Sequence, residues 1–289
     1  MSILLMRLVL VIPVLALFSV CHAQRFRFTP VPQSTILERE QNAPTGQEDR
    51  EARIKQLFTQ AGCIRDELSE QRVESVAGAN VICRLPGKSK ETIIVGANYG
   101  RAAPDTWSSA SLLPSLFQTL VSRKRRHTFV FVAFADGNAD LTGSRFFAEQ
   151  MSPGDMGRTE AMVNLDALGL SPTKISSSVS DKKLVESFII VMYALKQMGS
   201  QVELSRGVHL DSEPFASLHI PQITIHSLTQ EAVASFQTPG SAPVDAEFRP
   251  DHYYNSYRLI SGYLAYLDET LKRRPQEKQK PKRPDTVQP

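Results

Sequence analysis

The chain has 289 residues, 42% of them apolar and 22% charged, which is enough apolar side chain for the core of one large domain and excludes a low-complexity or disordered protein. The formal charge of +3 comes from the ends: the segment from Lys272 holds seven basic and two acidic residues and Arg7 adds one more, so the domain between them carries about −3. That domain has no basic stripe with interleaved aromatics, which argues against nucleic acid as a partner.

Residues 1–23 read as a signal peptide, with Arg7, an apolar run from Leu8 to Val20, and Cys21-His22-Ala23 before the cut. The run is shorter than the ~18 to 20 residues that span a bilayer. The expectation is therefore a secreted or periplasmic protein, cleaved after Ala23, with no stable membrane anchor left. Residues 24–45 are polar and carry several prolines, and read as a flexible linker. A single domain over 46–271 follows. The Pro, Lys and Gln-rich tail, 272–289, buries too little apolar surface to fold.

Cleavage leaves Cys63 and Cys83, which can pair in an oxidising compartment; two separately buried thiols are the alternative. Gln47 to Ala61 has the spacing of an amphipathic helix. Strands are expected at Glu70 to Val76, Asn80 to Leu85, Glu91 to Ala97, Thr128 to Phe134, Ala161 to Asp166 and Gln222 to Ser227, with a weak one at Thr173 to Ser178. Helices are expected at Ser108 to Ser122, Gly143 to Met151, Asp181 to Met198 and Pro250 to Leu271, where Tyr253, Tyr254, Tyr257, Tyr263 and Tyr266 mark one partly buried face. Alternating strands and helices predict a three-layer α/β/α sandwich with a mostly parallel central sheet and an antiparallel edge. Sites in such sheets lie at strand carboxyl ends, here Asn98-Tyr99-Gly100, Ala135 to Asn138, and Asp166, with Asp105 just before the next helix.

The segments "NVICRLPG", "IIVGANYG", "DTWSSASLLPSL", "FVAFADGNADLTGSRFF", "MVNLDALG" and "DSEPF" followed by "HIPQITIHS" occur in this order. Together they resemble the co-catalytic zinc aminopeptidases of peptidase family M28, which also holds glutaminyl cyclase-like members. The resemblance implies a zinc aminopeptidase-like fold and two zinc ions. It places the first ligand His at Asn98 and its partner Asp at Gly100. The bridging Asp falls on Asp105, with Ser109 where the family has Gly. The adjacent Glu pair falls on Gly137-Asn138, the next ligand on Asp166, and the last His on Gln237 in "FQTPG".

Zinc favours imidazole, thiolate and carboxylate donors, and a catalytic site must also leave room for water. Three of the five implied ligand positions, Asn98, Asn138 and Gln237, carry neutral amides, and Gly137 has no side chain to act as general base. The expectation is a catalytically inactive pseudopeptidase whose former cleft binds peptides, with zinc improbable. The alternative is an active metal-dependent aminopeptidase with a site rearranged around His209, Asp211, Glu213 or His226. Asp105, Asp166 and the three amides offer oxygen alone, a set suited to calcium or magnesium. A hydrogen-bonded polar plug competes with that reading and is favoured over it. His226 itself reads as a strand-end core histidine bonded to backbone. Tyr99, Trp107 and Asp211 are candidates for the cleft wall, and Ser144 for a helix cap.

Overall fold

The computed structural model describes residues 28–41, 43–74, 76–100, 107–135, 141–197, 199–202, 210–237 and 247–272; of residue 201 and residues 235–237 it describes the backbone. Helix α1 is Gln33–Glu40 and α2 is Gln47–Gln60. Strands β1 (Leu68–Arg72), β2 (Ala79–Leu85) and β3 (Thr92–Asn98) precede α3 (Trp107–Val121) and β4 (Thr128–Phe134). Then come α4 (Thr142–Glu149), α5 (Pro153–Arg158), β5 (Thr159–Asp166), β6 (Lys174–Ile175), α6 (Lys182–Ala194) and β7 (Ser200–Gln201). The chain continues through α7 (Glu213–Ser217), β8 (Gln222–His226), α8 (Gln230–Gln237) and α9 (Pro250–Thr270). No helix among the described residues is long and apolar enough to cross a membrane.

The eight strands form one sheet in the order β1-β2-β4-β3-β5-β8-β6-β7. Its centre, β4-β3-β5-β8, is parallel, and β1 and β2 form the antiparallel edge. A parallel strand covered on both faces reads as an unbroken apolar run. Strand β4, TFVFVAF, does so and is buried at every position. One face packs on α1, α2, α3, α6 and α9; the other meets the shorter α4 and α7 through Phe134, Phe147 and Phe215, whose ring centroids lie 6.0 to 6.2 Å apart.

Helix α3 is enclosed on almost all sides, and its polar residues are small enough to satisfy themselves there. Tyr253 of α9 donates to the Ser108 carbonyl at 2.6 Å, and the Tyr257 hydroxyl lies 2.6 Å from that of Thr119. The tyrosines of the last helix are thus hydrogen-bonded anchors as well as apolar bulk.

Within 24–45, expected to be a flexible linker, the described residues hold a helix. Helix α1 forms within that segment because α3 holds it: Ile36 is fully buried, and the Arg39 guanidinium donates to Ser115 Oγ at 2.9 Å and Gln118 Oε1 at 2.7 Å. The Val31 N–H also reaches the Tyr257 hydroxyl at 2.7 Å. The expected weak strand from Thr173 shrinks to the two residues of β6, antiparallel to β8.

At the far end of the sheet from the strand carboxyl ends, Asp268 closes α9 onto the start of β4. Its carboxylate accepts the N–H groups of Arg126 at 3.0 Å and His127 at 2.8 Å, with the His127 ring Nδ1 at 3.3 Å. Burial alone would raise its pKa, but the bonds from the His127 ring and the two N–H groups outweigh burial and lower it. A carboxylate depressed in the folded state contributes stability above its unfolded pKa near ~3.9 and loses it as pH falls through the folded value. Asp268→Asn is expected to cost about 1–3 kcal/mol at pH 7. The deficit should shrink when urea unfolding is repeated at about pH 3; equal stability at pH 7 would contradict this clamp.

Candidate functional site

The strand register lines up residues of five strands at the carboxyl rim. Asn98 pairs with Phe134, Ala97 with Leu165, Asp166 with His226, and His226 with Lys174. Cross-strand partners share a face of the sheet. Asn98, Asp166, His226 and Lys174 therefore form one transverse polar row, which continues at β4 as Phe134 of the α4 and α7 face.

Asn98 is almost buried, and its Oδ1 accepts the N–H of Gly100 at 2.6 Å, an Asx turn that folds the side chain back on its own backbone. Arg50 of α2 comes down on the same turn. Its Nη1 donates to the carbonyls of Gly100 at 2.6 Å and Tyr99 at 3.2 Å, its Nε donates to the Pro44 carbonyl at 2.7 Å, and its guanidinium stands 5.8 Å from the centre of the Trp107 ring. A cation is thus built in at the end of β3.

Asp166 ends β5 beside this turn. Burial pushes its carboxyl up to about 6, partly offset by the N–H of Ala167. The next loop residue is pinned from α3, where Ser109 Oγ accepts the Leu168 N–H at 3.2 Å. His226 is fully buried and pushed down to about 3, first by burial and then by Lys174. Its Nδ1 accepts the Leu228 N–H at 3.2 Å, which makes it a strand-end histidine bonded to backbone.

Two of the expected cleft residues lie elsewhere. Tyr99 and Trp107 are completely buried in the main core. The Tyr99 hydroxyl donates to the Ala79 carbonyl at 2.8 Å, and the Trp107 indole N–H donates to the Glu40 carbonyl at 2.8 Å. Their rings hold α1, α2 and β2 together instead of lining a cleft. Asp211 is buried in the turn before α7. Ser144 sits inside the first turn of α4, where its hydroxyl donates to the Leu141 carbonyl at 3.2 Å; the N-cap position is Leu141. Asp105, Gly137, Asn138 and His209 lie outside the described residues, and of Gln237 the backbone alone is described, as the last residue of α8. Among the described residues no three His, Cys, Asp or Glu side chains gather as a metal-holding group.

The sequence reading missed Arg50 and Asn80. Asn80 of β2 accepts the Ala135 N–H at 2.9 Å and donates to the Gly143 carbonyl at 2.9 Å, so it fixes both flanks of segment 136–140. Gly143 permits this approach, since a Cβ there would lie 2.1 Å from the Ala135 carbonyl oxygen. Beside the second flank, between α4 and α7, runs a groove of about 320 Å³ lined by Leu141, Arg145, Glu149, Glu213 and Leu218 among others.

Residues 80–257 match the model of Peptidase family M28. The chain belongs to peptidase family M28. Its sheet and helices match those of solved aminopeptidases and glutaminyl cyclases. The LapA aminopeptidase of Legionella pneumophila superposes with a TM-score of 0.65 at 13% identity, over 83% of this chain and 71% of that one. An Acidobacteriales bacterium glutaminyl cyclase gives 0.65 at 16%, over 83% of this chain and 97% of the other. The zinc aminopeptidase of Bacillus subtilis gives 0.55 at 18% over 68% of this chain, which spans 52% of that protein's length. At these identities the likeness is one of fold. A search of curated protein sequences finds no match.

Within the M28 frame, Asn98 and Gly100 stand where the resemblance implies the first metal ligand and its carboxylate partner. Ser109 stands where it implies glycine, and the hydroxyl that glycine lacks is the group that holds Leu168.

Proposed function

We propose that this protein is an exported M28-family chain that has lost metal-dependent peptide hydrolysis and whose former active-site cleft binds peptides. The observation that carries this reading is the turn at the end of β3. The Asn98 oxygen is already engaged by the Gly100 N–H, and the Arg50 guanidinium stands against the Tyr99 and Gly100 carbonyls. A fixed cation beside an amide that is turned inward does not fit a zinc-ligand position. The sequence adds Gly137 at the general-base position and amides at Asn138 and Gln237. The inward turn of Asn98, whose oxygen accepts the Gly100 N–H, supports a polar plug over a calcium or magnesium site.

Peptide binding is supported by the groove between α4 and α7, where Arg145, Glu149 and Glu213 border Leu141 and Leu218. Apolar walls with a few charged groups suit a short peptide segment. Export is supported by the signal-like residues 1–23 and by the disulfide between Cys63 and Cys83.

The second reading, an active aminopeptidase with a rearranged metal site, is favoured by family membership and by the zinc aminopeptidases among the structural relatives. Elemental analysis after equilibration with zinc and removal of the excess separates the two, together with turnover of aminoacyl anilides with and without chelator. The expected result is far less than one zinc per chain and no turnover. Near-stoichiometric zinc with chelator-sensitive hydrolysis would establish the second reading instead.

A further inference from the structure

The loop that joins α3 to β4 contains Arg123-Lys124-Arg125-Arg126, four basic residues in a row. One of them serves the fold: the Arg125 guanidinium donates to the carbonyls of Leu120 at 2.7 Å, Val121 at 2.9 Å and Arg123 at 2.7 Å, which closes the end of α3. The turn before β3 is locked onto this loop. There the Lys88 N–H donates to the Arg125 carbonyl at 3.1 Å and the Ser89 N–H to the Arg126 carbonyl at 2.9 Å. Gly87 allows the approach, since a Cβ on it would lie 2.1 Å from the His127 carbonyl oxygen. Asp268 ties the end of α9, and with it Lys272, to the same loop through the Arg126 and His127 N–H groups.

Three segments distant in sequence thus bring Lys88, Lys90, Lys124, Arg126 and Lys272 to one pole of the domain. All five are exposed, and none is in an ion pair with a described residue. The carboxylates nearby do not cancel them. Asp268 is buried under the two N–H groups, Glu269 stands 3.7 Å from Arg123, and Glu67 and Glu91 are half-buried. Beyond Lys272 the sequence adds Arg273, Arg274 and four further basic residues against two acidic ones.

From this arrangement we propose that the pole is a docking surface for an anionic lipid bilayer, held reversibly by charge. Lysine and arginine clusters beside a bilayer are drawn to anionic headgroups within a Debye length of the surface. The domain as a whole carries about −3, so its remainder is repelled by the same surface and the contact is oriented. Val121, one of four large apolar side chains exposed among the described residues, stands at the start of this loop and adds an apolar contact of the kind a bilayer interface accepts. Nucleic acid fits less well, because neither the two loops nor the tail has an aromatic residue on which a base could stack. The pole lies at the amino ends of β3 and β4, and each strand runs seven residues, so roughly 20 Å of sheet separates it from the carboxyl rim. A docked chain therefore holds its former cleft toward the aqueous side.

The test is sedimentation of the exported chain with vesicles of phosphatidylcholine alone and of phosphatidylcholine mixed with phosphatidylglycerol, at low and high salt. Binding is expected to the anionic vesicles, to fall as salt rises, and to be weak on the neutral ones. Lys124→Gln with Arg126→Gln should lower the anionic partition about 10- to 30-fold. Lys196→Gln with Arg249→Gln, which removes the same charge near the carboxyl rim, should leave it within about 2-fold. On anionic vesicles, amide exchange should slow at residues 86–91 and 122–127 and stay unchanged at Asn98 and Asp166. Equal binding to both vesicle types, equal effects of the two paired substitutions, or slower exchange at the rim instead of the pole would overturn the proposal. Displacement from the vesicles by duplex DNA of matched charge would assign the pole to nucleic acid instead. Neither peptide binding nor the loss of metal chemistry enters these readings.

Discussion

A chain carrying Asn98→His, Asn138→Glu and Gln237→His is expected to retain zinc after dialysis where the natural chain does not. The three substitutions return imidazole and carboxylate to positions that the M28 resemblance assigns to ligands, as it also does Asp105 and Asp166. Two further changes separate binding from chemistry. Gly100→Asp restores the partner of the first histidine and should tighten zinc roughly 10- to 100-fold. The gain requires Arg50→Gln as well, because Arg50 now occupies the Tyr99 and Gly100 carbonyls and would pair with a new carboxylate at position 100. Gly137→Glu then supplies the general base and should raise anilide hydrolysis by about 10² to 10⁴ over the ligand-restored chain. Isothermal titration with zinc reads the first effects and initial rates the last. A folded, ligand-restored chain that binds no more zinc than the natural one would refute the proposal that these positions decide metal binding.

The parts of this site that were legible in the sequence are those carried by strand ends. Strand β4 is recognisable because a parallel strand buried on both faces must be apolar throughout, and Asn98 and Asp166 follow from where neighbouring strands stop. The place of Lys174 on the rim was not legible. Its place depends on β6 running antiparallel to β8 for two residues, too short a pairing to leave a periodic signal. Arg50 sits among the charges of a solvated-looking helix, and nothing in its spacing shows that one guanidinium turns inward to residues 49 and 50 positions away. Tyr99 and Trp107 misled for the opposite reason. Both flank the motif residues, yet each spends its polar atom on a backbone carbonyl and its ring on the core. Helix α1 escaped notice because contacts to α3 hold it in place, against a weak intrinsic pattern.

Replacing both cysteines, Cys63→Ala with Cys83→Ala, is expected to destabilise the domain by about 3 kcal/mol, which for a domain of this size lowers the melting temperature by roughly 6–12 °C. The bridge closes 20 residues between the end of α2 and the middle of β2. Both sulfur positions are buried in the main core, so the loss combines freed chain entropy with weaker packing. The consequence should also be local. Helix α2 carries Arg50 at one end and leads into Cys63 at the other, and Glu51 between them accepts the Ala79 N–H at 2.8 Å. Untying that helix should speed amide exchange in α2 and at Tyr99 and Gly100 more than in β5 or β8. A stability within about 0.5 kcal/mol of the natural chain would show that the bridge adds nothing. Uniformly faster exchange would instead assign it to the whole domain. The same reasoning ties stability to compartment: made where thiols stay reduced, the chain should lose the same margin, and oxidation after purification should restore it.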